Sequence, residues 1–261
     1  MDAGSLLASY ALARREVVRF LRQRNRVVGA LAQPVLFWAI FGAGLSPSFR
    51  SGSVGYSEYF FPGVIVLILL FTAIFATISI IDDRNTGFLQ GVLVAPVPRS
   101  AIILGKVAGT TVLAVGQALL VSIAAPLFGM SIPVAGILAS IPVLVLVSVA
   151  LAGLGICIAW RMDSTQGFHA IMTSFLMPMW LLSGTFFPPG GTPKWLAIVI
   201  ACNPLTYGVA LLRHALYLGN PAATAALPSP LLCLGATIAF ALATVAGASS
   251  TAGARTSGAL P

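Results

Sequence analysis

The chain has 261 residues, of which 58% are hydrophobic and only 8% are charged, and its formal net charge is +8. A soluble domain carries roughly 25% charged residues, so this composition excludes a protein whose surface faces water. In lipid every backbone amide and carbonyl must be bonded inside the protein, and the continuous, non-alternating apolar runs therefore predict an all-α integral membrane protein.

The first predicted element is an amphipathic interfacial helix over residues 5–26, in which apolar residues recur every three or four positions from Leu6 to Leu21. Arginines form a second stripe, and no aromatic residues are interleaved with them in the way that stacks nucleic-acid bases. We interpret them as contacts with anionic lipid of the inner leaflet and expect no nucleic-acid partner. They are Arg14, Arg15, Arg19, Arg22, Arg24 and Arg26.

Apolar runs long enough to cross a bilayer follow along the whole chain, since a spanning helix needs about 20 residues. The sequence predicts one transmembrane domain over residues 1–261, with a kink near Pro34 in its first span. The six predicted spans are 27–45, 59–81, 101–128, 134–160, 167–187 and 229–249.

Residues 82–100 are the long break in the first half of the chain where charges, turn residues and an amphipathic segment occur together. Gly87, Pro96 and Pro98 bracket the apolar residues 88–95, whose length fits one or two helical turns lying across the end of the bundle. We predict that this element is a docking handle for a cytoplasmic motor. The alternative is a solvated connector with an apolar middle.

Residues 188–220 contain two apolar pieces, 195–202 and 205–212, each too short to span a membrane. Asn203-Pro204 separates them and breaks a helix. Two half-length helices can dip into the membrane and return if the turn between them is buried in protein, so we favour a re-entrant pair over a single crossing.

The distribution of positive charge predicts the orientation. With a cytoplasmic N-terminus and six crossings, Arg50, Lys194 and Arg213 lie outside, and the other eleven of the 14 lysines and arginines lie inside. This is the bias that the positive-inside rule expects. Both termini and the 82–100 loop are therefore predicted to face the cytoplasm.

Two blocks of residues resemble a known family, the type-2 ATP-binding-cassette (ABC) export permeases, especially the branch that includes daunorubicin-resistance and nodulation-factor exporters. The first block is Gly87-Phe88-Leu89, Leu93-Val94-Ala95-Pro96-Val97, Arg99, Ile102 and Gly105-Lys106. The second is Leu182-Ser183-Gly184, Phe187-Pro188, Pro193, Trp195-Leu196, Asn203-Pro204-Leu205-Thr206-Tyr207 and Arg213.

The resemblance implies a homodimer in the bacterial cytoplasmic (inner) membrane, with each subunit contacted by a separate ABC ATPase. It implies a coupling helix with the residues Arg84, Gly87, Phe88, Leu89, Leu93, Pro96 and Arg99, and an outer re-entrant gate with Phe187, Pro188, Trp195, Asn203, Pro204 and Tyr207. The chain departs from the family pattern at Asn85, Gln90, Gly91 and Ala210, where acidic residues are common.

No stretch fits the phosphate-binding pattern G-x-x-x-x-G-K-[ST], so this chain is not expected to be an enzyme that hydrolyses ATP. We expect no cofactor on it, with ATP and Mg²⁺ on the partner subunit. An ion-coupled carrier and a membrane-embedded lipid-processing enzyme are the alternatives. The first lacks mid-membrane ionisable residues and the second lacks an evident acid-base pair.

Isolated polar residues complete the predicted site. The hydroxyl and amide groups of Thr72, Thr77, Gln117 and Thr173 are candidates for lining a route between two protomers, or else for hydrogen bonds between helices. A largely uncharged route suits an apolar or amphipathic cargo such as a drug, a lipid or a lipid-linked saccharide. The three cysteines and two histidines are isolated and predict no metal site.

Overall fold

A computed structural model describes residues 3–45, 55–95, 97–128, 130–186, 192–224 and 226–254. These residues form helices joined by short turns, and no strand occurs among them. The all-α prediction is therefore confirmed.

The first half of the chain forms long helices around one short one. They are α1 (Ala3–Arg22), α2 (Arg24–Leu45), α3 (Tyr56–Asn85), α4 (Phe88–Val94), α5 (Arg99–Ala124), which ends in a 3₁₀ turn (Ala125–Phe128), and α6 (Val134–Arg161). The second half is more broken. It comprises α7 (Thr165–Ile171), α8 (Met177–Trp180), α9 (Lys194–Cys202), α10 (Pro204–Leu216), α11 (Pro221–Thr224) and α12 (Pro230–Ala254).

Helix α3 forms the centre of the bundle. Among the described residues, five helices, α2, α3, α5, α6 and α12, are long and apolar enough to cross a membrane, and the pair α9–α10 makes a sixth if it counts as one span. The apolar stretch of α3 is 94% buried, against 22% for α2 and 28% for α12. A helix that is apolar all round is stable when other helices surround it, whereas α2 and α12 leave most of their surface to lipid or another subunit.

The N-terminal helix is shorter than predicted, because the chain breaks at Gln23. Arg24 and Arg26 consequently belong to α2 and not to the interfacial helix. A kink at Pro34 was predicted, and this proline lies inside the continuous helix α2.

Helix α1 packs closely on α5 through two glycines. A β-carbon on Gly105 would lie 2.7 Å from the carbonyl oxygen of Ser9, and one on Gly109 would lie 2.9 Å from that of Ala13. Only glycine allows such a close approach of two backbones. Helix α1 is therefore seated against α5 at Ser9 and Ala13.

The predicted fifth span is helical but irregular. Helices α7 and α8 are joined by a π-helical turn (Met172–Leu176), and a kinked segment (Leu181–Thr185) follows, in which Leu182, Ser183 and Gly184 leave helical backbone geometry. Pro178 in α8 has no amide hydrogen for a helical hydrogen bond, and wide turns accommodate such a loss. A crossing by this segment stays a prediction.

Helices α9 and α10 meet at an angle of 82°. The side chain of Asn203 accepts a hydrogen bond from the amide of Leu205 at 3.0 Å, and Pro204 occupies the first turn of α10. These are typical helix-start residues, so the predicted pair of half-length helices is confirmed. Its re-entrant path through the membrane stays a prediction.

Candidate functional site

Helix α4 is the short element predicted in the 82–100 loop. It begins after Gly87, whose φ of 75° lies in the left-handed region that glycine adopts without strain. The observed helix, Phe88–Val94, is close to the predicted residues 88–95. Pro96 lies outside the described residues, and Pro98 precedes α5 as its N-terminal cap.

The residues of α4 divide into two faces. Gly87, Gln90, Gly91 and Val94 are exposed and recur at the helical spacing of three and four, with Val94 87% exposed. Leu89 lies on the opposite side, is only 4% exposed and belongs to the core of the bundle. Of the predicted coupling residues, Leu89 therefore anchors the helix to its own subunit, and the exposed face is open to a partner.

Phe88 lies at the border between these faces and is held by Arg15 of α1. The guanidinium carbon of Arg15 is 3.6 Å from the centroid of the Phe88 ring, a cation–π contact. The same guanidinium donates two hydrogen bonds, of 3.0 and 2.8 Å, to the carboxylate of Asp83. These bonds raise the pKa of Arg15, although partial burial opposes the shift. One side chain thus joins α1, the end of α3 and α4.

A buried ionic cluster surrounds Asp83. The ammonium of Lys106 on α5 donates to Asp83 at 2.8 Å, to Glu16 of α1 at 3.1 Å and to Ser79 at 2.9 Å. Arg19 contacts Asp83 at 2.6 Å. Buried charges are tolerated when paired in this way, so the cluster holds α1, α3 and α5 together.

The interpretation of the N-terminal arginines was partly wrong. Arg15, Arg19 and Arg26 were expected to face lipid headgroups, but all three form ion pairs with Asp82 or Asp83. The adjacent aspartates at the end of a predicted span were the available signal. Opposite charges at the same membrane edge indicate an ion pair within the protein as readily as a contact with lipid.

Arg84 fastens the end of α3 to the end of α6. It donates to the carbonyl oxygens of Trp160 at 2.7 Å and Met162 at 2.8 Å, and to the carboxylate of Asp163 at 3.1 Å. Basic groups stabilise the carboxyl ends of helices, where carbonyl groups lack helical partners. Arg84 therefore bonds to groups of its own subunit. Of the other predicted coupling residues, Leu93 is half-buried and Arg99 is exposed.

The candidate pathway residues do not form one cluster. Thr72 and Gln117 are buried and joined by a 2.8 Å hydrogen bond between α3 and α5. Thr77 is buried and donates to the carbonyl of Ala73 in its own helix. Thr173 is exposed on the π-helical turn. Thr72 and Gln117 thus form a hydrogen bond between helices, which was the alternative to lining a substrate route. That any of these residues lines such a route stays a prediction.

The outer candidate residues gather at the bend between α9 and α10. Trp195 is exposed, and the hydroxyl of Tyr207 donates to the carbonyl of Ala201 at 2.9 Å. The amide of Asn203 donates to the carbonyl of Met179, which ties the bend to α8. Phe187 and Pro188 lie outside the described residues.

Arg213 of α10 is a further candidate residue, at the end of the bundle opposite α4. In the sequence it stood out only as a member of the second family block and as one of the three cations predicted to lie outside. The structure buries it at 3% exposure, with its guanidinium carbon 4.1 Å from the centroid of the Tyr59 ring and a 3.0 Å hydrogen bond to the Tyr59 carbonyl. Tyr59 in turn donates to the carbonyl of Gly184 at 2.8 Å. An arginine inside an amphipathic helix pattern was the available signal.

Long apolar helices packed around α3, with a short surface helix at one end and a bent pair at the other, define a multi-pass membrane protein of the transport-permease class. Residues 8–217 match the family described as ABC-2 type transporter, and the chain belongs to that family. It is the membrane permease subunit of an ABC exporter, and the family implies an ABC ATPase as its partner. The resemblance and function predicted from the two sequence blocks are thus confirmed.

Relatives carry names consistent with this family. The chain is 28% identical over 221 residues to Nodulation protein J of Rhizobium leguminosarum bv. viciae, covering 84% of this chain and 85% of the relative. It is 25% identical over 209 residues to Putative transport permease ycf38 of Cyanophora paradoxa, covering 78% and 72%. It is 29% identical over 157 residues to Probable multidrug ABC transporter permease YbhR of Escherichia coli (strain K12), covering 59% and 42%.

Proposed function

We propose that the permease receives the force of ATP hydrolysis through α4, on whose exposed face the ABC ATPase docks. One observation carries this proposal: α4 presents Val94 and Gly91 outward, while Leu89 fixes it to the core. An apolar side chain that is almost fully exposed beside a glycine is a suitable contact for a complementary pocket. ATP and Mg²⁺ would be bound by the ATPase, and this chain would hold no cofactor.

Force on α4 has a physical route into the bundle. Leu89 transmits it to the packed core, and Phe88 transmits it through Arg15 to α1. The cluster around Asp83 joins α1 to α3 and α5, so these helices move as one body. A push from the ATPase would therefore tilt the central helix and not merely bend a loop.

The assembly proposed here is a homodimer in the bacterial inner membrane, with both termini in the cytoplasm. The low burial of α2 and α12 within one subunit supports a second copy against one of these surfaces, with lipid on the other. The mostly uncharged spans favour an apolar or amphipathic cargo, and the relative named as a probable multidrug ABC transporter permease is compatible with a drug.

Gly91 allows a direct test of docking. A β-carbon there meets no atom within 4 Å, so a side chain can begin at this position without a clash. Gly91→Trp should abolish co-purification with the cognate ATPase and the permease-dependent stimulation of ATP hydrolysis, because the indole fills the docking face. Gly91→Ala is the matched control and should retain both. Undiminished co-purification of the tryptophan variant would contradict docking on this face.

A further inference from the structure

A cavity lies under the bent pair, at the end of the molecule opposite α4. It is bounded by the kinked segment Leu181–Thr185, by α9 and α10, and by the segment that leads to α12. Most of its lining is apolar, including Ile200, Ala210 and Leu227. Arg213 supplies the positive charge in this lining.

Arg213 forms no ion pair in the part of the chain that the structure describes, although Glu58 precedes the Tyr59 that it contacts. The sequence has six acidic residues, and Glu16, Asp82, Asp83 and Asp163 pair with other cations. Glu58 forms no ion pair among the described residues, although its backbone carbonyl accepts a hydrogen bond from Tyr217. Asp2 lies outside the described residues, at the end of the chain where α1 begins.

The guanidinium also retains unused hydrogen-bonding capacity. Its Nε atom is buried and has no partner among the described residues, while the Tyr59 carbonyl takes one Nη2 bond. The neighbouring hydroxyls of Thr206 and Tyr207 donate to carbonyl groups of α9. A buried guanidinium without a carboxylate is costly unless an anion completes the site.

We propose that this cavity binds the phosphate group of an anionic amphiphile, with Arg213 as the cationic ligand. A phosphate supplies both the missing charge and acceptors for the free donor. The apolar lining favours a phosphate attached to an acyl chain over the free ion. The site does not depend on ATPase docking at α4.

A substitution at Ala210 can neutralise the charge of the cavity while Arg213 stays in place. It lies three residues before Arg213 on the same helix, is buried, and lines the same cavity. A glutamate there would lie within reach of the guanidinium and occupy it internally.

The experiment uses the purified full-length chain in neutral detergent, with short-chain phosphatidylglycerol, phosphatidylcholine or inorganic phosphate added and bound ligand counted by native mass spectrometry. The wild type should bind phosphatidylglycerol at least about tenfold more tightly than phosphatidylcholine, as one charged hydrogen bond allows. Ala210→Glu and Arg213→Gln should lose this preference, whereas Lys194→Gln, which removes an exposed cation outside the cavity lining, should retain it.

Two results would overturn the proposal. Equal binding of the two lipids by the wild type would remove the anion site, and so would an unchanged preference in Ala210→Glu. Displacement of phosphatidylglycerol by inorganic phosphate at a similar concentration would overturn the choice of an amphipathic ligand. Because Ala210→Glu brings its own ion pair, it should stay folded even if Arg213→Gln does not.

Discussion

The strongest single-residue constraint in the molecule is Lys106. Its ammonium is buried within hydrogen-bonding distance of Glu16, Asp83 and Ser79. Removing it would take from buried Glu16 its cation among the described residues, although Arg15 and Arg19 would still pair with Asp83. Removing one partner of a buried ion pair is strongly destabilising, because the remaining charge stays buried without compensation. Replacing the whole pair with apolar residues is often neutral.

We therefore expect Lys106→Met to destabilise the purified protein by about 3–5 kcal/mol, seen as a lowered apparent Tm in detergent. Lys194→Met is the matched control, because Lys194 is exposed at the start of α9 and forms no ion pair among the described residues. Its effect should stay within about 0.5 kcal/mol. Similar Tm values for the two variants would mean that the cluster around Asp83 does not stabilise the bundle.

At the scale of elements, the close packing of α1 on α5 depends on Gly105 and Gly109, which have no side chains. Gly109 lies under the backbone of α1, whereas at Gly116, two turns further along α5, an added β-carbon would meet no atom within 4 Å. The same substitution at these glycines should thus have opposite effects. At the first it forces two backbones apart, and at the second it only improves helix propensity.

We expect Gly109→Ala to lower the apparent Tm, by the equivalent of about 1–3 kcal/mol, and to make α1 accessible to protease. Gly116→Ala should leave the Tm unchanged or raise it by the equivalent of up to about 1 kcal/mol. Thermal unfolding and limited proteolysis of the full-length variants measure both effects. Shifts of equal sign and size would show that α1 is not held by close backbone contact.

Local chemistry explains which elements could be predicted from the sequence. Gly87 permits a left-handed turn, and Asn203-Pro204 favours the start of a helix. Both signals are local, so α4 and the α9–α10 break were predictable. The break at Gln23 carries no glycine or proline, and no local signal marks it. The pairing of Arg15 with Asp83 joins residues 68 apart, which helical periodicity cannot reveal.

At the scale of the whole molecule, α3 connects the two ends. Its last turn carries Asp82 and Asp83, which pair with cations of α1, α2 and α5, and its first turn carries Tyr59, which holds Arg213 of α10. Trp180 of α8 also donates to the Gly63 carbonyl near that first turn, at 2.7 Å. A tilt of α3 driven from α4 would therefore reach the bent pair and its cavity directly, without an intervening flexible segment.

This coupling requires that α4 and the bent pair lie on opposite sides of the membrane, with α4 in the cytoplasm. Ser100 at the start of α5 and Ser229 before α12 are both exposed, so cysteine can replace each serine with little change in size. In a background without Cys157, Cys202 and Cys233, Ser229→Cys should react with an impermeant maleimide added to intact cells. Ser100→Cys should react only after permeabilisation, because the positive-inside bias places it with the ATPase. The reverse labelling pattern would put α4 beyond the reach of any cytoplasmic ATPase and would contradict the docking proposal. Labelling of both sites from outside would mean that the intervening segments cross the membrane differently.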